Sequence, residues 1–153
     1  MTYPQTEVIE IVNRAVPLQL DNSKNENQEV LRRYHHIWTP DVRILDSDGS
    51  QLCEWQGYLP PAEFAARALA AFGQAYLRLR RFDKAEACYI ECLRRYPTSW
   101  AAPEAQYYLG VARYRSDPES NELLHQWSIL RSRYPNSEMR LKQSFKEMPE
   151  EPH

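Results

Sequence analysis

Glycine is scarce in this chain, with four in 153 residues. A loop that cradles phosphate needs glycines close together so that backbone N–H groups converge on the anion, and no such cluster is present. Nucleotide binding of that kind is therefore not expected. Cysteine is scarce too. Cys53, Cys88 and Cys92 are an odd set that cannot complete a disulfide framework, and they fit a reducing compartment. No run of about 18 apolar residues is available to cross a bilayer. The start, MTYPQTEVIEIVNRA, lacks the basic patch and greasy core of a secretory signal. A cytoplasmic protein with no membrane insertion is expected. Charge of one sign is also missing: 19 Lys and Arg against 21 Asp and Glu leave a formal net charge of −2, which offers nucleic acid no electrostatic attraction. Arginines cluster at Arg78, Arg80, Arg81 and at Arg94, Arg95, but Asp83, Glu86 and Glu91 are mixed among them, as on solvated helix faces.

The hydrophobic share of 42% is enough for a core in one or two small domains. The organising stretch runs from Phe64 to Pro97. Phe64, Ala68, Leu69, Phe72, Tyr76 and Leu79 recur at helical spacing, as do Ala85, Cys88, Tyr89, Cys92 and Tyr96. A break at Arg81-Phe82-Asp83 divides them into a helical hairpin. Gly73 facing Ala85 is expected to let the two backbones approach, with Tyr76 and Tyr89 beside them. Pro97 ends the second helix.

Leu69, Phe72, Gly73, Tyr76, Ala85, Tyr89, Cys92 and Pro97 stand at the spacings of the tetratricopeptide repeat, which this stretch resembles. A looser second copy follows. Leu109-Gly110 repeats Phe72-Gly73, and Trp127 and Tyr134-Pro135 repeat Tyr89 and Tyr96-Pro97. The glycines lie 37 residues apart against the family's usual ~34. The extra length falls in the turn from Pro97 to Glu104, where Ser99 or a neighbour is the expected N-cap. Leu123 takes the place of the family's turn-facing alanine, which predicts looser packing in the second hairpin. Ser137 to Phe145 reads as the polar-faced helix that covers a terminal repeat.

Ahead of the hairpins, Thr6–Ala15 reads as a short helix, Val16–Leu20 as a strand with Pro17 near its start, and 26–35 as a helix burying Val30, Leu31 and Tyr34. Ile37-Trp38-Thr39-Pro40 leads into the strand Val42–Leu45. The turn Asp46-Ser47-Asp48-Gly49 and the return strand Gln51–Gln56 complete a hairpin, and Pro61 suits the first turn of the next helix. This order resembles the back three-quarters of a thioredoxin-like domain. The likeness is carried by Val16–Asp21, by the Tyr34 to Pro40 approach ending in Thr-Pro, and by the Val42–Gly57 hairpin. It implies a cis bond before Pro40 and a backbone edge beside a substrate chain.

The catalytic Cys-x-x-Cys of that family, whose thiolate attacks a disulfide, would lie at or beyond Met1, and no such motif occurs in the sequence. The fold class expected is α/β then all-α: a truncated thioredoxin-like domain over 1–62, two tetratricopeptide-type hairpins with a capping helix over 63–146, and a disordered tail over 147–153. Loss of the central strand would leave Val16–Leu20 and Val42–Leu45 without the neighbour between them. This predicts a homo-oligomer or a subunit of a complex.

The cysteines read first as core filling and only second as a redox pair; a zinc site would need two further ligands beside Cys88 and Cys92, with His125 alone nearby. No metal or cofactor is expected. His35 and His36 read as a helix end. The function these features support is a non-catalytic interaction or scaffold subunit for a protein or peptide partner. The alternative is a thiol-disulfide oxidoreductase or chaperone whose cysteine pair lies upstream or on a partner. Candidate contacts are Trp38, Thr39, Pro40, Trp55 and Tyr58 near the proline loop, and Gln74, Arg78, Gln106 and Arg113 on the first helix of each repeat.

Overall fold

Residues 3–144 are described by the computed structural model. Helix α1 (Thr6–Val12) and, after a single 3-10 turn at Asn25–Asn27, helix α2 (Gln28–Arg33) precede an antiparallel pair of strands, β1 (Asp41–Leu45) and β2 (Gln51–Gln56). Five helices follow: α3 (Pro61–Arg78), α4 (Phe82–Arg95), α5 (Ala102–Ser116), α6 (Glu122–Arg133) and α7 (Glu138–Lys142). The chain is thus a mixed α/β protein whose small sheet leads into a run of helices. The expected tail over 147–153, and Phe145 at the end of the capping helix, lie outside the described residues.

The strands pair as Asp41↔Gln56 through Ile44↔Cys53, with a slip between Ile44 and Leu45. Gly49 makes the turn possible by taking φ of 82°, a conformation glycine adopts without steric cost, and its N–H donates to Asp46 O at 2.9 Å. Pro61 opens α3, where a missing N–H costs nothing. The helix ends at Arg78, and Arg80, with φ of 57°, turns the chain so that the Arg81 N–H reaches Tyr76 O at 2.8 Å, the bonding of a Schellman cap.

One apolar cluster holds sheet and helices together. Val8 and Ile11 of α1, Leu69 of α3, Tyr89 and Cys92 of α4 and Ala105 of α5 are all within it, and Val42, Trp55 and Leu59 pack against it. Glycine lets α3 and α4 meet. A Cβ on Gly73 would stand 2.4 Å from Tyr89 Cε1, so the Tyr89 ring fills the space above the glycine. Gly110 repeats the arrangement more loosely, with Gln126 Cβ and Trp127 Cδ1 at 3.2 Å. Leu123 is half-buried, yet α6 still buries Gln126, Trp127 and Leu130 against α5. Trp127 stacks on Tyr107 at 4.8 Å and its indole N–H donates to Tyr107 O.

Several expectations need correction. Helix α2, expected to bury Val30, Leu31 and Tyr34, has no fully buried residue: Leu31 and Tyr34 are half-buried and Val30 is exposed. Val16–Leu20 forms no strand: among the described residues its backbone makes no hydrogen bond, and Val16 and Leu18 are 92% and 81% exposed. A segment that alternates like a strand but has no neighbour has no ladder to enter. Helix α1 ends at Val12, with single turns carrying the chain to Ala15. The N-cap of α5 is Ala101, a neighbour of Ser99 in the expected turn, and the Ser99 hydroxyl accepts from the Ala101 N–H at 3.1 Å.

Candidate functional site

The loop between α2 and β1 is fastened from both sides. Helix α2 ends when His35 takes φ of 51°, and the His36 N–H then donates to Leu31 O at 2.9 Å. That reversal aims His36 at the start of β1. Its Nδ1 lies 3.1 Å from Asp41 Oδ2, and its Nε2 lies 3.3 Å from Thr39 Oγ1. Asn22 donates to the same Thr39 oxygen at 3.0 Å, which brings the residues just after the Val16–Leu20 segment against the proline loop. The Thr39–Pro40 bond is cis, and Pro40 O accepts from the Gly57 N–H at 2.9 Å.

Asp41 anchors the network. Arg43 donates to both of its oxygens, from Nε at 2.9 Å and from Nη2 at 3.0 Å. Burial pushes the Asp41 pKa up, but the hydrogen bonds from Arg43 and His36 outweigh it and hold the carboxyl below its usual range. Arg43 also pairs with Glu54 at 2.9 Å and sits over the Tyr34 ring, while the Tyr34 hydroxyl donates to Gly49 O at 2.8 Å. Helix, loop and hairpin are thereby one unit. Its chemistry is positional: the polar bonds fix the loop, while Ile37 and Trp38 on it stay exposed.

The sequence-derived candidates divide accordingly. Trp38 and Tyr58 are 69% and 66% exposed; Trp38 precedes Thr39 and Pro40 in the loop, and Tyr58 lies on the connection from β2 to α3. Trp55 is half-buried, with its ring 5.6 Å from Phe64. Gln74 is half-buried and Arg78 exposed on α3. Gln106 is buried, its amide donating to Gln126 Oε1 at 2.8 Å. Arg113 is tied to Glu86 and Glu122 at 2.9 and 2.6 Å. Trp38, Thr39 and Pro40 thus share the loop before β1, Tyr58 follows the Gly57 whose N–H bonds to Pro40 O, and Gln106 and Arg113 are engaged within the fold.

No protein family, curated protein or solved structure matches the chain.

Ile37, beside Trp38, is 77% exposed, and Trp100, between the two helical hairpins, is 90% exposed. Neither was singled out from the sequence, although an apolar residue in a Pro-containing loop off any periodic pattern is the available signal. The thiols are set apart from this surface. Burial pushes Cys88 up to about 11 and Cys92 up to about 12, and Cys92 Sγ contacts Ala66 O at 3.5 Å. Burial raises Cys53 as well. A thiol so shifted carries little thiolate at neutral pH. Among the described residues, no cluster of three His, Cys, Asp or Glu side chains is suited to a metal ion, and no helix is long and apolar enough to cross a membrane.

Proposed function

We propose that this chain is a non-catalytic interaction subunit, a redox-inactive and truncated thioredoxin-like unit joined to two tetratricopeptide-type hairpins. It captures a protein or peptide partner on the aromatic rim of the Thr39–Pro40 loop. The observation that carries this reading is the exposure of Trp38, on a loop held by the His36, Asp41 and Asn22 hydrogen bonds, and of Tyr58, next to the Gly57 whose N–H bonds to Pro40 O. Large aromatic side chains on a rigid base lose little conformational entropy when covered, which is why such residues dominate binding energy at interfaces. Arg78, exposed on α3, supplies a charged contact from the helical part.

Affinity capture from native extract tests the reading, with the wild-type chain set beside a Trp38→Ala, Tyr58→Ala double variant of unchanged circular dichroism. A bound protein retained by the wild type and lost from the variant is expected. Equal capture by both would sink the assignment of this rim. The same preparation is expected to show no insulin reduction above a variant with all three cysteines changed to Ser; turnover above that control would favour thiol-disulfide exchange instead.

A further inference from the structure

Val16-Pro17-Leu18-Gln19-Leu20 combines alternating apolar side chains with a backbone that bonds to nothing among the described residues. Val16, Leu18 and Leu20 are 92%, 81% and 39% exposed, so the segment presents an apolar row to solvent. We infer that it is a self-pairing edge: two copies of this chain join by antiparallel pairing of Val16–Leu20 about a two-fold axis at Leu18. This goes beyond the binding of a partner at the Thr39–Pro40 rim and does not depend on it.

The residues themselves select this pairing. In a strand, successive residues direct their backbone groups to opposite edges. Pro17 has no N–H, so the edge it shares with Gln19 is short of a donor. The edge of Val16, Leu18 and Leu20 keeps every donor and acceptor. Natural proteins guard a free edge with charge or proline, and here proline guards one edge while the other has no charged residue between Arg14 and Asp21. A two-fold axis sets Leu18 against Leu18 of the second copy and Val16 against Leu20 of the second copy. These are apolar cross-strand pairs with no like charges opposed. The Asn22 to Thr39 hydrogen bond ties the residues just after the segment to the proline loop, where exposed Ile37 is available to widen a contact that five residues alone would leave small.

Sedimentation equilibrium of the full chain and two variants decides the matter. The wild type is expected to shift from monomer to dimer with rising concentration, between about 1 and about 100 µM. Leu18→Asp places like charges directly opposite each other across the axis and is expected to raise the dissociation constant roughly tenfold or more. Gln19→Asp, on the other face, is expected to leave it within about twofold. Both variants are checked for wild-type circular dichroism. A wild type that stays monomeric, a dimer that Leu18→Asp leaves intact, or equal weakening by both variants would each overturn the inference.

Discussion

At the scale of single residues, the two glycines in the helical hairpins look alike in sequence and differ in the space around them. Gly73 lies under the buried Tyr89 ring, with Cε1 and Cζ at 2.4 and 2.5 Å from where a Cβ would stand. Tyr89 is fully buried and also stacks against Tyr108 at 6.3 Å, so it has nowhere to retreat. At Gly110 the nearest atoms are at 3.2 to 3.3 Å, a fit that a small shift relieves. Alanine is favoured over glycine within a helix by about 1 kcal/mol, whereas overpacking costs about 1–3 kcal/mol. Gly73→Ala, with its 2.4 Å clash at the severe end of that cost, is therefore expected to destabilise by about 2 kcal/mol in urea unfolding, and Gly110→Ala to fall within about 0.5 kcal/mol of wild type. Equal effects at the two sites would mean that the Tyr89 ring is not fixed where the geometry puts it.

At the scale of elements, legibility followed whether a segment's partners are nearby in the chain. Helices α3 and α4, the strands β1 and β2 and the turn at Gly49 were all readable, because periodicity, Pro61 and the Asp-Ser-Asp-Gly turn act over a few residues. Val16–Leu20 was not, since its alternation describes a strand while strand formation needs a neighbour that this chain does not place beside it. The proline loop was legible as an aromatic site, but the direction of each ring was not: Trp38 and Trp55 read alike, and only the hairpin register turns Trp55 onto Phe64. Gln106 shows the same limit. Read as a surface contact, it instead joins α5 to α6 through Gln126, which in turn donates to Glu122 at 3.1 Å. Gln106→Ala leaves the Gln126 carbonyl oxygen buried without that donor, and a loss of about 1–3 kcal/mol on chemical denaturation is expected. An unchanged midpoint would show that the amide pair is dispensable to the second hairpin.

At the scale of the whole molecule, the residues ahead of the sheet are held to the helical part by charge as well as by the shared core. Arg14 of the turn after α1 makes two bonds to Glu91 on α4, at 2.7 and 2.8 Å, and Arg95 donates to the same carboxylate at 2.7 Å. Arg95 also reaches Glu10 at 3.3 Å, and the Tyr96 hydroxyl donates to Glu7 at 3.1 Å. The hydrogen bonds from Arg14, joined by those from Arg95 and opposed by burial, lower the Glu91 pKa from 4.5 to about 2. Because the folded state holds this carboxyl ionised more strongly than the unfolded chain does, the unfolded chain takes up the proton first as pH falls. The stabilisation is thus complete above about pH 4.5 and disappears on descent to about pH 2. Glu91→Gln is expected to cost about 1 kcal/mol at pH 7, a value held down by the partial exposure of the pair. The difference between wild type and variant, followed by denaturant unfolding at successive pH values, should shrink through that window and reach zero near its lower end. A gap that stays constant with pH would place the coupling between α1 and α4 in packing alone, and would remove charge from the account of how the two parts of the chain are joined.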